Sequence, residues 1–208
     1  MSLPVPDELW FDSAALVSLA HARNALAVLR SRALDDRPRW VDTVEEELTR
    51  DRRPHDHIPG LHEIKVDTAW LGEYQLLDEA QMAEAFELRD GITIADDHDA
   101  KSLGEAQTVV VARDRYERAA ASGAMLVVVA VSDDRDLAVV ARNAGAAGKL
   151  EVWSSAHVLA VLVQLGSLTC EQAYDDYQHM VSQRRGLHRD LTREQLCAGS
   201  IPNVRLRR

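Results

Sequence analysis

Long apolar runs are missing from this sequence. The longest uninterrupted one, Ala124 to Val131, falls far short of the roughly 20 residues that a membrane helix needs and reads as a buried strand. Cysteine is nearly absent: Cys170 and Cys197 are too few for a disulfide framework and lack the CxxC or His spacing of structural zinc, so a reducing compartment suits both. Glycine and proline number only 10 and 6 in 208 residues, beside 46% apolar and 28% charged residues, which excludes a disordered chain and favours a folded, helix-rich one. A basic excess is lacking too. With 24 Lys and Arg against 34 Asp and Glu, the net charge of −10 argues against binding nucleic acid by broad electrostatic attraction. No P-loop, GxGxxG or Ser-His-Asp order is present, so nucleotide hydrolysis, dinucleotide binding and acyl transfer lack support. Met1 to Glu8 carries Pro4, Pro6, Asp7 and Glu8 where a leader would have a basic stretch and an apolar run. The expectation is a cytoplasmic protein with no membrane partner.

What is present alternates between strand and helix signals. Leu9 to Phe11 is a short apolar strand that stops at Asp12, and from Ser13 a long helical pattern sets Leu19, Ala22, Leu26 and Leu29 on one face. A second helix is expected from about Val41 to Asp51, with Val44 and Leu48 on its stripe beside Glu45, Glu46 and Glu47. Arg52 to Gly60 should be a loop, and His62 to Val66 a strand. Helical periodicity returns between Asp78 and Leu88, and Gly91 with Asp96, Asp97, His98 and Asp99 marks a connection. A helix from Leu103 to Ala121 then places Glu105 one turn before Val109 on the inner line. Met125 to Val131 is an all-apolar strand of the kind a sheet covers on both faces, and Ser132, Asp133 and Asp134 end it. A helix from Arg135 to Ala144, a strand near Leu150 to Trp153, and helices near Ala156 to Leu165 and Thr169 to Gln183 complete an α/β chain with a parallel sheet. We divide it into a main domain, residues 9–165, and a helical C-terminal extension, residues 166–208. The extension's tail is basic, with Arg184, Arg185, Arg189, Arg193, Arg205, Arg207 and Arg208 against Asp190 and Glu194.

Carboxylates gather where such a sheet collects ligands. Asp12 and Asp134 follow strand ends, which in a parallel α/β sheet share one edge, and Glu105 lies in the first turn of its helix on the buried line. Like charges brought together there raise one another's pKa unless a cation joins them. Oxygen-only ligands suit Mg²⁺ or Mn²⁺, which can activate a water against a phosphodiester. Plainer readings stand beside this one. Asp12 and Ser13 can cap the first helix, Asp133 or Ser132 the helix at Arg135, and Glu45 to Glu47 can be a solvated face in which periodicity does not separate Glu45 from Glu47. His55, His57 and His62 read as an exposed loop, Asp96, Asp97 and Asp99 as solvated acids, and the four tryptophans as core.

The pieces Phe11-Asp12-Ser13, Val44-x-x-Glu47-Leu48, Leu103-Gly104-Glu105-Ala106 and Ser132-Asp133-Asp134-Arg135-Asp136-Leu137 together resemble the PIN domains, which include the VapC-like toxin ribonucleases. The resemblance runs from Leu9 to about Gln195. It implies a three-layer α/β/α fold and Mg²⁺- or Mn²⁺-dependent cleavage of RNA. Asp12, Glu47, Glu105 and Asp134 would be the metal ligands, Asp136 an auxiliary acid, and Ser13 and Ser132 the residues that orient ligands or water. A small antitoxin protein and a second copy of the chain are partners that members of the family use. The chain is longer than the small toxins and carries Glu105 where Asp is commoner. A catalytically silent PIN-like module that binds RNA or protein is the alternative.

Overall fold

In the computed structural model of the protein, residues 3–31, 33–49, 58–90, 103–146, 148–183, 188 and 190–202 are described. The elements run β1 (Glu8–Phe11), α1 (Ser13–Leu19), α2 (Arg23–Arg30), β2 (Pro38–Arg39), α3 (Asp42–Thr49), α4 (Pro59–Val66), a 3₁₀ turn (Ala69–Leu71), α5 (Glu79–Asp90) and α6 (Leu103–Ala121). They continue with β3 (Val128–Val131), α7 (Arg135–Asn143), β4 (Glu151–Trp153), α8 (Ser155–Gln164), α9 (Cys170–Ser182) and α10 (Arg193–Cys197). The expected turns around Asp96 to Asp99, the histidines 55 and 57, and most of the arginine tail lie outside the described residues.

The sheet has four parallel strands in the order β2-β1-β3-β4. Every residue of β1 and β3 is buried, which is why neither strand alternates polar with apolar. The one charge in this pair, Glu8, is neutralised by Arg115 at 2.6 Å and accepts the Trp10 indole N–H at 3.0 Å. The chain leaves β1 towards β2 on one side and leaves β3 towards β4 on the other. Right-handed crossovers then put the intervening helices on opposite faces of the sheet. Accordingly α1 packs with α2, α4 and α8, and both α2 and α8 meet α9, while α6 packs with α5 and α7 and lies on β1 and β3. Reversal of winding at neighbouring strands opens a crevice beyond their carboxyl ends. Here those ends are Phe11-Asp12 and Val131-Ser132. The C-terminal side chains Tyr177, Met180, Leu191, Leu196 and Ile201 belong to the same hydrophobic core as the sheet. No helix among the described residues is long and apolar enough to cross a membrane.

Several expectations need correction. The long helix from Ser13 is two helices, because a residue distant in sequence starts the second: Asp176 of α9 accepts the N–H groups of Asn24 (3.2 Å) and Ala25 (2.7 Å), capping α2. The segment His62 to Val66 is helical, not a strand. Pro59 opens it, where a missing N–H is harmless, and Ile58, Leu61 and Ile64 repeat every third residue on its buried side. The strand expected from Met125 begins only at Val128, and Met125 itself is fully exposed. β2 went unread because two residues carry no period. The cysteines read as separate thiols are joined, Cys170 to Cys197, by a contact that only the packing of α9 with α10 creates.

The crossing of α1 and α4 is tight enough to test. A Cβ at Gly60 would stand 2.0 Å from the Ala20 carbonyl oxygen, a backbone atom that no rotamer change can move. Alanine gains about 1 kcal/mol of helix propensity over glycine, but overpacking a fixed contact costs about 1–3 kcal/mol and more when backbone must shift. Gly60→Ala should therefore lower Tm in thermal denaturation, whereas a rise would show that the crossing has slack.

Candidate metal centre

Asp12 is the first residue beyond β1. Its amide still joins the ladder, donating to the Val131 carbonyl at 3.0 Å, while its side chain starts α1 by accepting the Ala14 N–H on Oδ1 at 2.5 Å. The cap uses one oxygen. Oδ2 is buried and makes no hydrogen bond of ordinary geometry, although the Ser132 hydroxyl lies close enough to act on the carboxylate, and the residue is 1% exposed. Burial pushes the Asp12 carboxyl up to about 7. The Ser132 hydroxyl and Ala14 amide act against that shift, and the charges of Glu47 and Asp134 add to it.

Three other elements bring acids toward this point. Glu47, in the last turns of α3, accepts the Ser13 hydroxyl on Oε2 at 2.5 Å. Its other oxygen lies beside Gly104, where an added Cβ would be 3.5 Å from Oε1. Glu105, in the first turn of α6, is pushed up to about 9, by burial first and then by the charges of Asp12, Glu47 and Asp134. Asp134 is exposed and caps α7 by accepting the Asp136 N–H at 3.1 Å. Ser132 is wholly buried and its Oγ accepts the Asp134 N–H at 2.9 Å. Asp136 lies partly exposed in the first turn of α7.

The geometry thus gathers Asp12, Glu47 and Glu105 into one electrostatic group with Ser13 and Ser132 at its edges, and leaves Asp134 at the rim. It also reassigns a cap. Asp133, one of the two residues offered by the sequence as the cap of α7, instead accepts the backbone and side-chain donors of Ser155 at the start of α8, and Asp134 does the capping. That reassignment is set by the approach of α8, to which local sequence is blind. Polar residues not weighed in the sequence also lie in this region of the fold. Thr108, one turn beyond Glu105, and Gln107 are buried in α6, each with an unpartnered oxygen. Their signal was a polar pair inside the apolar stretch Ala106 to Ala112.

A divalent cation fits this donor set on one observation and is strained by another. The unpartnered Asp12 oxygen, on a carboxyl pushed up as that of Glu105 is, is what a hard cation would relieve. Yet among the described residues no three His, Cys, Asp or Glu side chains already stand where they could together hold a metal ion. The chain matches no protein-family model, no curated protein and no solved structure in the comparisons made.

The raised carboxyls give stability a pH dependence with a definite sign. Between the ordinary carboxyl range, about 4, and their folded values, Asp12 and Glu105 hold protons that the unfolded chain has released. The folded state then binds more protons than the unfolded one, so stability is fully present at low pH and is lost as pH rises through about 7 and then about 9. In EDTA, Tm should fall across that window, and Glu105→Gln should flatten its upper part. A wild-type profile that does not fall would mean that these carboxyls are not buried together.

Proposed function

We propose that this protein is a metal-dependent ribonuclease of the PIN type, hydrolysing RNA phosphodiester bonds at the carboxyl edge of β1 and β3. The single observation that carries this reading is the buried, half-partnered carboxylate of Asp12 beside Glu47 and Glu105. A protein that kept Asp12 and Glu105 only for structure would have little reason to desolvate the two carboxyls near one another, since burial of a charge is destabilising.

Asp12, Glu47 and Glu105 would hold Mg²⁺ or Mn²⁺, with Asp134 joining from the rim. When bound, such an ion supplies a water of lowered pKa and offsets charge on the attacking and leaving oxygens. The chain's own residues do the positioning. The Ala14 amide fixes one Asp12 oxygen and leaves the other available to an ion. The Ser13 hydroxyl orients Glu47. Ser132 restrains both Asp12 and the turn that carries Asp134. Glu105, pushed up toward its protonated form, stays neutral until an ion neutralises its neighbours, so the four acids need not repel the phosphates of RNA. Asp136 serves as an auxiliary acid at the substrate side, and a small antitoxin peptide or a second copy of the chain would regulate access.

A silent RNA- or protein-binding module of the same fold is favoured by one observation, the lack of three acids already set to hold an ion among the described residues. Metal dependence separates the two readings. Millimolar Mn²⁺ should raise Tm by about 5 °C in wild type and not in Asp12→Asn. Cleavage of a mixed RNA pool should require Mn²⁺ or Mg²⁺ and fall by about two orders of magnitude or more in Asp12→Asn and Glu105→Gln. RNA binding that is indifferent to EDTA and to both substitutions, without cleavage, would select the silent module.

A further inference from the structure

The last described segment packs on α8 and α9. α10 has five residues, too few for a helix to persist alone. Leu191, Leu196 and Ile201 are buried, the Leu191 amide donates to the Tyr177 hydroxyl at 2.8 Å, and Thr192 caps the helix. To these is added one covalent bond. Cys170, the first residue of α9, and Cys197, the last of α10, form a disulfide across 27 residues. Both residues are partly exposed.

The same segment brings His188 against His157, edge to face, with ring centroids 5.6 Å apart. His157 stacks on Trp153 at 5.7 Å, and its Nδ1 accepts the Ser154 N–H at 3.1 Å. With Nδ1 accepting, the ring proton belongs on Nε2. A metal on Nε2 would need a lone pair there, so this pair is not a metal site. Instead Nε2 of His157 and Nε2 of His188 are both buried without a hydrogen-bond partner. Each unpartnered group favours separation, because water would satisfy it. The seam between segment and α8 is therefore held closed against a local cost, and the cross-link opposes its opening by restricting the freedom that the released segment would gain.

We propose that the Cys170–Cys197 disulfide is a reducible latch, which keeps residues 190–202 seated on α8 and α9 while closed and, when opened, lets them lift and frees the His157–His188 contact. Opening needs a dithiol reductant. Its thiolate attacks one sulfur to give a mixed disulfide, its second thiol resolves that bond into the reductant's own disulfide, and two electrons and two protons pass to Cys170 and Cys197, which become thiols. The device is independent of the acids at β1 and β3, and its test uses no activity.

Hydrogen exchange followed by mass spectrometry on the full chain, with and without dithiothreitol, reads the latch directly. Oxidised protein should protect residues 190–202. After reduction, protection there should fall about tenfold or more, while β1, β3 and α6 keep theirs, and Tm should drop by about 5 °C or more. Cys197→Ser should behave as the reduced protein under both conditions. If that variant does not fold, the wild-type pair of measurements decides alone. Equal protection before and after reduction would overturn the latch. So would alkylation showing two free thiols after treatment of the folded protein with diamide.

Discussion

Asp12 occupies a place where a carboxylate is least readily ionised, and much of the fold can be read as the means of holding it there. It ends a buried strand, so its amide must stay in the ladder with Val131, and it begins a helix, so its side chain must turn back to the Ala14 amide. Those two backbone demands fix the carboxylate at the junction of β1 and β3. Its two oxygens fare differently: Oδ1 caps α1, and Oδ2 is left buried without an ordinary hydrogen bond. Loss of solvent, more than the neighbouring charges, accounts for the upward push on the carboxyl.

β1 and β3 are adjacent and their connections leave in opposite directions, the arrangement that in open α/β sheets favours a crevice beyond the carboxyl ends of the strands. α3 and α6 enter from the sides and contribute Glu47 and Glu105. Small side chains permit the approach. Gly104 lets α6 come against Val44 and Glu47 of α3, and Gly60 lets α4 touch the end of α1.

Some of the site was legible in one dimension, for an identifiable reason. Apolar strands that stop abruptly at Asp12 and at Ser132 announce their own carboxyl ends, and a carboxylate one turn before Val109 on an apolar stripe announces Glu105. Glu47 was not separable from Glu45 by periodicity, and it is the Ser13 hydroxyl and the neighbourhood of Gly104 that distinguish it. Asp134 and not Asp133 caps α7 because Ser155, 22 residues beyond Asp133, claims the latter. The break between α1 and α2 depends on Asp176, over 150 residues away in the chain. Each of these assignments depends on a polar group whose partner is remote.

The sequence by itself determined the α/β alternation, the parallel character of the buried strands and the presence of acids at their ends, because these follow from short-range periodicity and from where apolar runs stop. Tertiary structure alone decided the strand order, the helical state of Pro59 to Val66, which oxygens are satisfied, and the joining of Cys170 to Cys197. Periodicity is a property of neighbours in the chain. Desolvation and hydrogen-bond satisfaction are properties of neighbours in space, and the chemistry of this site is made of the second kind.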